Sequence, residues 1–206
     1  MKKITTTFIL VLTFATNCFA VPTYHYDLTQ PGGILYGTVD VSLNGSGAFF
    51  DIRSNMADGH FFLNSSIFNF NQTGGFVNNL TLLNEDGIYL NPSLYRIDYF
   101  TRPNRGNVSE FGSFNTQVNN IRGQAGDRIR EITFQLGGNW TDAASVLFEN
   151  TAGYAVSAHV WDGSRTFFIG DGQYLPPPTV PEPGTVFLLC GGLAFGWLYR
   201  KRRAAA

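Results

Sequence analysis

Through the middle of this chain, hydrophobic and polar residues alternate with a period of two. Val39, Val41 and Leu43 alternate with Thr38, Asp40 and Ser42, and Ile132, Phe134 and Leu136 with Thr133 and Gln135. Tyr154, Val156, Ala158 and Val160 alternate in the same way with Ala155, Ser157 and His159. An extended strand sends successive side chains to opposite faces, so each run predicts a half-buried β-strand. Tyr95, Ile97 and Tyr99 repeat the pattern, and residues 111–118, 145–148 and 165–169 are shorter candidates. Turn signals separate them: Asn44-Gly45, Asp58-Gly59, Gly74-Gly75, Asp86-Gly87, Gly137-Gly138 and Asp162-Gly163. No three-turn amphipathic helix and no exact repeat interrupts the series. Around ten strands at this spacing predict an all-β body, an antiparallel β-sandwich of jelly-roll-like form over residues 21–175.

The pattern changes at both ends. Lys2-Lys3, an apolar run over residues 4–14 and Cys18-Phe19-Ala20 read as a signal peptide over residues 1–20, with cleavage between Ala20 and Val21. Ala15-Thr16-Asn17 ahead of Cys18 lack the small and leucine residues of a lipobox. At the other end, Pro176-Pro177-Pro178 opens a Pro-rich spacer over residues 176–183. An apolar segment over residues 184–199 and a basic tail over residues 200–206, beginning Arg200-Lys201-Arg202-Arg203, follow it. The uncharged run rises about 22 Å as a helix against about 30 Å of hydrocarbon. That is short, but snorkelling cations and interfacial aromatics extend such a span, so the expectation is a single transmembrane helix with a cytoplasmic basic end. A membrane-anchored precursor follows from it.

Charge separates the body from its ends. The whole chain carries a net charge of −1, but the two lysines of the leader and the four cations of the tail, one lysine and three arginines, lie outside residues 21–179, which hold eight arginines, no lysine and fourteen carboxylates, a balance of about −6. A nucleic-acid partner is excluded on that ground. Both cysteines, Cys18 and Cys190, also fall outside the body. Its fold therefore rests on its core, for which the body's fourteen phenylalanines and eight tyrosines supply the area.

Pro181-Glu182-Pro183, a short apolar segment and a terminal basic cluster, in that order, resemble the PEP-CTERM sorting signal of exported bacterial proteins. The resemblance implies recognition by exosortase, cutting near the motif, and delivery to the cell surface or the extracellular polysaccharide matrix. The same tail also circulates under an ice-binding C-terminal name, which implies no ice binding. Blocks at residues 110–114, 132–134, 145–147 and 155–170 are similar to other PEP-CTERM proteins, and no activity comes with them.

Candidate chemistry in the body is sparse. His25, His60 and His159 have no second ligand at a zinc-binding spacing, so no metal and no cofactor are assigned. His159 and Trp161 share one face of a strand, with Asp162 and Arg165 beside them; this is either a ligand face or the ordinary outer face of a strand tied to its neighbour. No Gly-x-Ser-x-Gly elbow marks a nucleophile, and no catalytic residue is assigned. Glu85-Asp86-Gly87, Asp162-Gly163 and Asp171-Gly172 could offer oxygen to Ca²⁺, but read better as turns. Two function classes follow. The first is a non-enzymatic surface or matrix protein that binds or organises extracellular polysaccharide. The second is a secreted carbohydrate-active enzyme that uses Glu110, Glu131 or Glu149.

Overall fold

The computed structural model describes residues 23–171, apart from 31–32, 46, 64, 102–105 and 122–126. The signal peptide and its cleavage site Ala20/Val21, the spacer, Pro181, Glu182 and Pro183, the apolar segment 184–199 and Arg200, Lys201, Arg202 and Arg203 all lie outside the described residues.

Among the described residues, eleven strands, all paired antiparallel, make one hydrogen-bonded sheet. Seven of them close on themselves: β1 (Thr23–Thr29), β2 (Leu35–Asn44), β3 (Gly47–Ser54), β9 (Ile129–Gly137), β4 (Phe61–Phe62), β10 (Val156–Trp161) and β11 (Thr166–Asp171), which returns to β1. The jelly-roll-like β-sandwich is therefore corrected: the body is all-β and mostly a barrel. A sandwich has two sheets joined only by packing, whereas here β4 bridges β9 and β10 by backbone pairing, and β11 pairs with both β10 and β1. Two flaps extend the wall. β6 (Val77–Asn84) pairs along β9, and β5 (Phe68–Phe70), β8 (Thr116–Asn120) and β7 (Tyr95–Tyr99) follow from β10.

The transmembrane helix is also withdrawn. Among the described residues no helix is long and apolar enough to cross a membrane. Helical structure there consists of single 3-10 turns, as at Met56–Asp58 and Pro92–Leu94. Residues 184–199 lie outside that description. The membrane-anchored precursor and the membrane as a partner go with the helix.

Alternation builds the barrel from inside. In β9, Ile132, Phe134 and Leu136 are fully buried while Thr133 and Gln135 face outward. Phe134 stacks on Phe50 of β3 at 4.5 Å and on Phe70 of β5 at 5.4 Å, and Phe68 stacks on Phe70 at 5.5 Å. Each buried phenylalanine contributes about 1.5–3 kcal/mol by leaving water. The interior is thus a packed core, and ligand chemistry is left to the outer wall. The glycine turns close the hairpins: Gly45, with φ +58°, turns β2 into β3 in a backbone conformation that other residues seldom adopt.

Candidate functional site

β10 carries the residues singled out from the sequence. Val156, Ala158 and Val160 point inward and are fully buried, so Ser157, His159 and Trp161 belong to the outer face. This face is not uniform along its length. Around Ser157 it is roofed by a second small cluster built on Val108, Phe111 and Phe114, with Tyr154 and Phe168 packed against it. A Cβ on Gly170, opposite Ser157, would come within 2.7 Å of both the Phe111 and Tyr154 rings, which shows how closely the roof sits.

His159 is half-buried and committed to its own chain. Its ring stacks on Phe168 of β11 at 4.6 Å, and its Nδ1 lies 2.9 Å from the Ser65 carbonyl, an acceptor that places the proton on Nδ1. Burial pushes its pKa below the ordinary histidine value against the opposing pull of that hydrogen bond, and the ring is neutral at pH 7. Trp161, two residues on, sits at a junction of four segments. The Arg128 guanidinium lies 4.0 Å from the centre of the indole ring, Phe61 of β4 adds a second ring at 6.5 Å, and Arg128 is ion-paired to Glu85 at 3.1 Å. A guanidinium over an indole is worth about 0.5–1 kcal/mol at an exposed site. The result is an aromatic surface fixed in place before any ligand arrives.

The neighbours expected beside this face behave differently. Asp162 accepts N–H bonds from Ser164 and Arg165, both at 3.0 Å, and these hold its carboxyl well below the usual range. Arg165 turns back to Asp162 at 3.3 Å and lies over Phe167, so the guanidinium at Trp161 comes from Arg128 instead. Asp171 accepts from the N–H groups of Ala155 and Val156 and caps the start of β10; burial outweighs those bonds and pushes its pKa up to about 6. Glu110 lies in a 3-10 turn, Glu131 on β9 opposite Arg53, and Glu149 in the loop ahead of β10, three separate segments. Among the described residues no three His, Cys, Asp or Glu side chains are grouped to hold a metal ion.

Two groups escaped the sequence. Arg128 reaches Trp161 from thirty-three residues away, beyond any local spacing. His25 is clamped between Asp40 on β2, at 2.7 Å, and Asp27, at 3.0 Å. Burial lowers its pKa, but the hydrogen bonds to Asp40 and Asp27 and their charges outweigh it, so the net shift is upward. The His25-x-Asp27 spacing was the readable half of that clamp.

No curated protein and no solved structure matches this chain. Residues 179–203 match the family described as the PEP-CTERM protein-sorting motif. That stretch holds Pro181, Glu182, Pro183 and the basic cluster Arg200 to Arg203, so the chain carries the C-terminal sorting domain of an exosortase substrate and is addressed to exosortase-dependent sorting and export.

Proposed function

We propose that the exported barrel is a non-enzymatic surface or matrix protein that binds extracellular polysaccharide on its outer wall, with Trp161 as the platform. The observation that carries this reading is the indole held under Arg128 at 4.0 Å outside the barrel. An aromatic face stacks on the apolar face of a sugar ring, and the Arg128–Glu85 pair beside it offers charged donors and acceptors to hydroxyls. His159 has the supporting part, holding β10 to the loop at Ser65. Cutting near Glu182 would release the barrel from its tail.

The carbohydrate-active enzyme is the weaker reading. Glycoside cleavage needs two carboxyl groups about 5–9.5 Å apart across a cleft, and among the described residues no observed pairing of Glu110, Glu131 and Glu149 favours it. Titration of extracellular polysaccharide against the protein and its Trp161→Ala variant tests the proposal. The expected loss is about 1–2 kcal/mol, the scale of an aromatic contact and its burial, with the barrel still folded. Unchanged binding would remove Trp161 from the site, and sugar release from the polysaccharide would replace binding with catalysis. Mass spectrometry of the surface form should find it ending near Glu182; an intact Arg200 to Ala206 tail on the bulk of it would refute the cut.

A further inference from the structure

At the far end of β9 the outer wall has a notch. Gly47 of β3 and Gly137 of β9 are direct cross-strand partners on the outward face, and Asn44 pairs with Gly47 across the β2–β3 hairpin. Two facing glycines remove two side chains from one row of the wall. In the next row Gln135 of β9 stands between Asn78 of β6 and Phe49 of β3. Asn44, Gly47, Asn78, Gln135 and Gly137 line the resulting hollow of about 140 Å³, with Ala48 and Leu136 beneath. At about 30 Å³ per water this is the room of four or five waters, smaller than a drug-sized site and open to solvent.

The polar groups around it are arranged, not merely present. Asn79 adopts φ +54° in a bulge of β6, which lets its amide donate to Gln135 Oε1 at 3.1 Å. Asn78 Nδ2 donates to the Phe76 carbonyl at 3.2 Å. These bonds engage the acceptor of Gln135 and one N–H of Asn78, whose Nδ2 lies 3.6 Å from where a Cβ on Gly137 would stand and so faces the notch. Phe76 shares the face of Asn78 by alternation, is 71% exposed, and is steadied edge-on by Tyr99 at 5.6 Å, whose hydroxyl accepts from the Val77 N–H at 2.7 Å.

We propose that this hollow is a second binding subsite, taking a neutral sugar residue that stacks on Phe76 and hydrogen-bonds the Asn78 and Gln135 amides. The lining holds no charged residue, so a uronate or sulfate would find no countercharge, whereas the paired donor and acceptor of a hydroxyl match a carboxamide set. The nine residues of β9 run about 27 Å, at about 3.4 Å per residue, from this subsite to Ile129, the neighbour of the Arg128 that lies over Trp161, so one long glycan can engage both ends. The ligand class rests on the polysaccharide reading above; the site does not.

The test is calorimetric titration of the full chain with cellohexaose as the neutral probe and an alginate hexamer as the anionic one. Phe76→Ala should weaken cellohexaose binding about fivefold. Gly137→Val should block the hollow: a Cβ there meets its nearest atoms at only 3.6 and 3.7 Å, so the backbone accepts it while the added methyls fill the space. Residual cellohexaose binding in Trp161→Ala that is lost on adding Phe76→Ala would establish two subsites. Binding abolished by Trp161→Ala and untouched by Phe76→Ala and Gly137→Val would overturn the hollow while leaving the polysaccharide reading standing. A preference for the alginate hexamer would overturn the neutral-sugar assignment, and binding of neither probe by the unaltered chain would overturn both.

Discussion

At the Ile129 end of β9 the aromatic surface of Trp161 is already covered on one side by Arg128, whereas at the Gly137 end Phe76 stands 71% exposed beside a glycine notch. The first arrangement has spent its ordering entropy in folding: four segments fix the indole, and a ligand meets a rigid surface. The second keeps fewer constraints, a ring steadied edge-on by Tyr99, and trades rigidity for open area. Preorganisation lowers the entropic cost of binding, and exposure lowers the cost of clearing the surface. The two ends of one strand thus adjoin one site that is part of the fold's stability and another that is nearly independent of it.

The largest test removes what the two ends share. Phe134 lies between them, fully buried and stacked on Phe50 at 4.5 Å, and Phe134→Ala should cost about 3–5 kcal/mol in denaturant unfolding. A loss below 1 kcal/mol would mean that the two ends do not stand on one core.

Next comes the anchorage of β10, the strand that holds Trp161. The Asp171 carboxyl has a folded pKa of about 6 against an ordinary value of 3.8, so the folded state holds its proton more tightly than the unfolded chain does. Its stabilising contribution is complete below pH 4 and is lost as pH rises through 6, a change of at most about 3 kcal/mol. Asp171→Asn should therefore flatten the stability profile between pH 4 and 7 relative to the unaltered chain. Parallel profiles would show that burial does not set this titration.

Truncating the two ends should then divide them directly. Arg128→Ala should cost about 1 kcal/mol of stability by uncovering Trp161. Phe76→Ala should cost less than about 0.5 kcal/mol, as an exposed substitution does. Equal costs measured by thermal unfolding would erase the contrast.

The smallest effect belongs to His25, on a part of the wall outside both ends. Its raised pKa means that the clamp to Asp40 and Asp27 acts fully below the ordinary histidine value and is lost as pH rises through the raised one. His25→Ala should accordingly lower the melting temperature more at pH 5.5 than at pH 8.5, and a larger drop at pH 8.5 would contradict the sign.

Strand-level order was legible where alternation was strong. Ile132, Phe134 and Leu136 marked β9, Tyr95, Ile97 and Tyr99 marked β7, and the Asn44-Gly45 turn marked the β2–β3 hairpin. Of residues 145–148, also read as a strand, Ser145 ends a 3-10 turn at Ala143–Ser145, because Asp142 caps that turn by accepting from the Ala144 N–H, and Leu147 forms an isolated antiparallel bridge with Gln72. Barrel closure was not legible. A period of two says which face of a strand is buried, and it is the same in a sandwich and a barrel; the pairing of Phe62 with both Ile129 and Val160 leaves no trace in it. The aromatics on β10 could be placed on one face from sequence, but Arg128 could not, since its approach depends on how β9 meets β4. The glycine notch was hidden for a related reason: Gly137-Gly138 reads as a turn until Gly47 is seen across from it.

The closing seam sets an order of events. β1 pairs with β2 along its whole length but, among the described residues, pairs with β11 only at Leu28–Asp171 and Thr29–Gly170, and those partners are some 140 residues apart in the chain. A chain exported from its N-terminus delivers β1 first and β11 last. Until the final strand emerges, one edge of β1 lacks its closing partner, and an unpaired edge is open to pairing with another chain. Closing so long a loop for so few backbone bonds is slow. The barrel thus completes itself only after almost the whole body has crossed, and the sorting motif at residues 179–203 is the next part of the chain to follow.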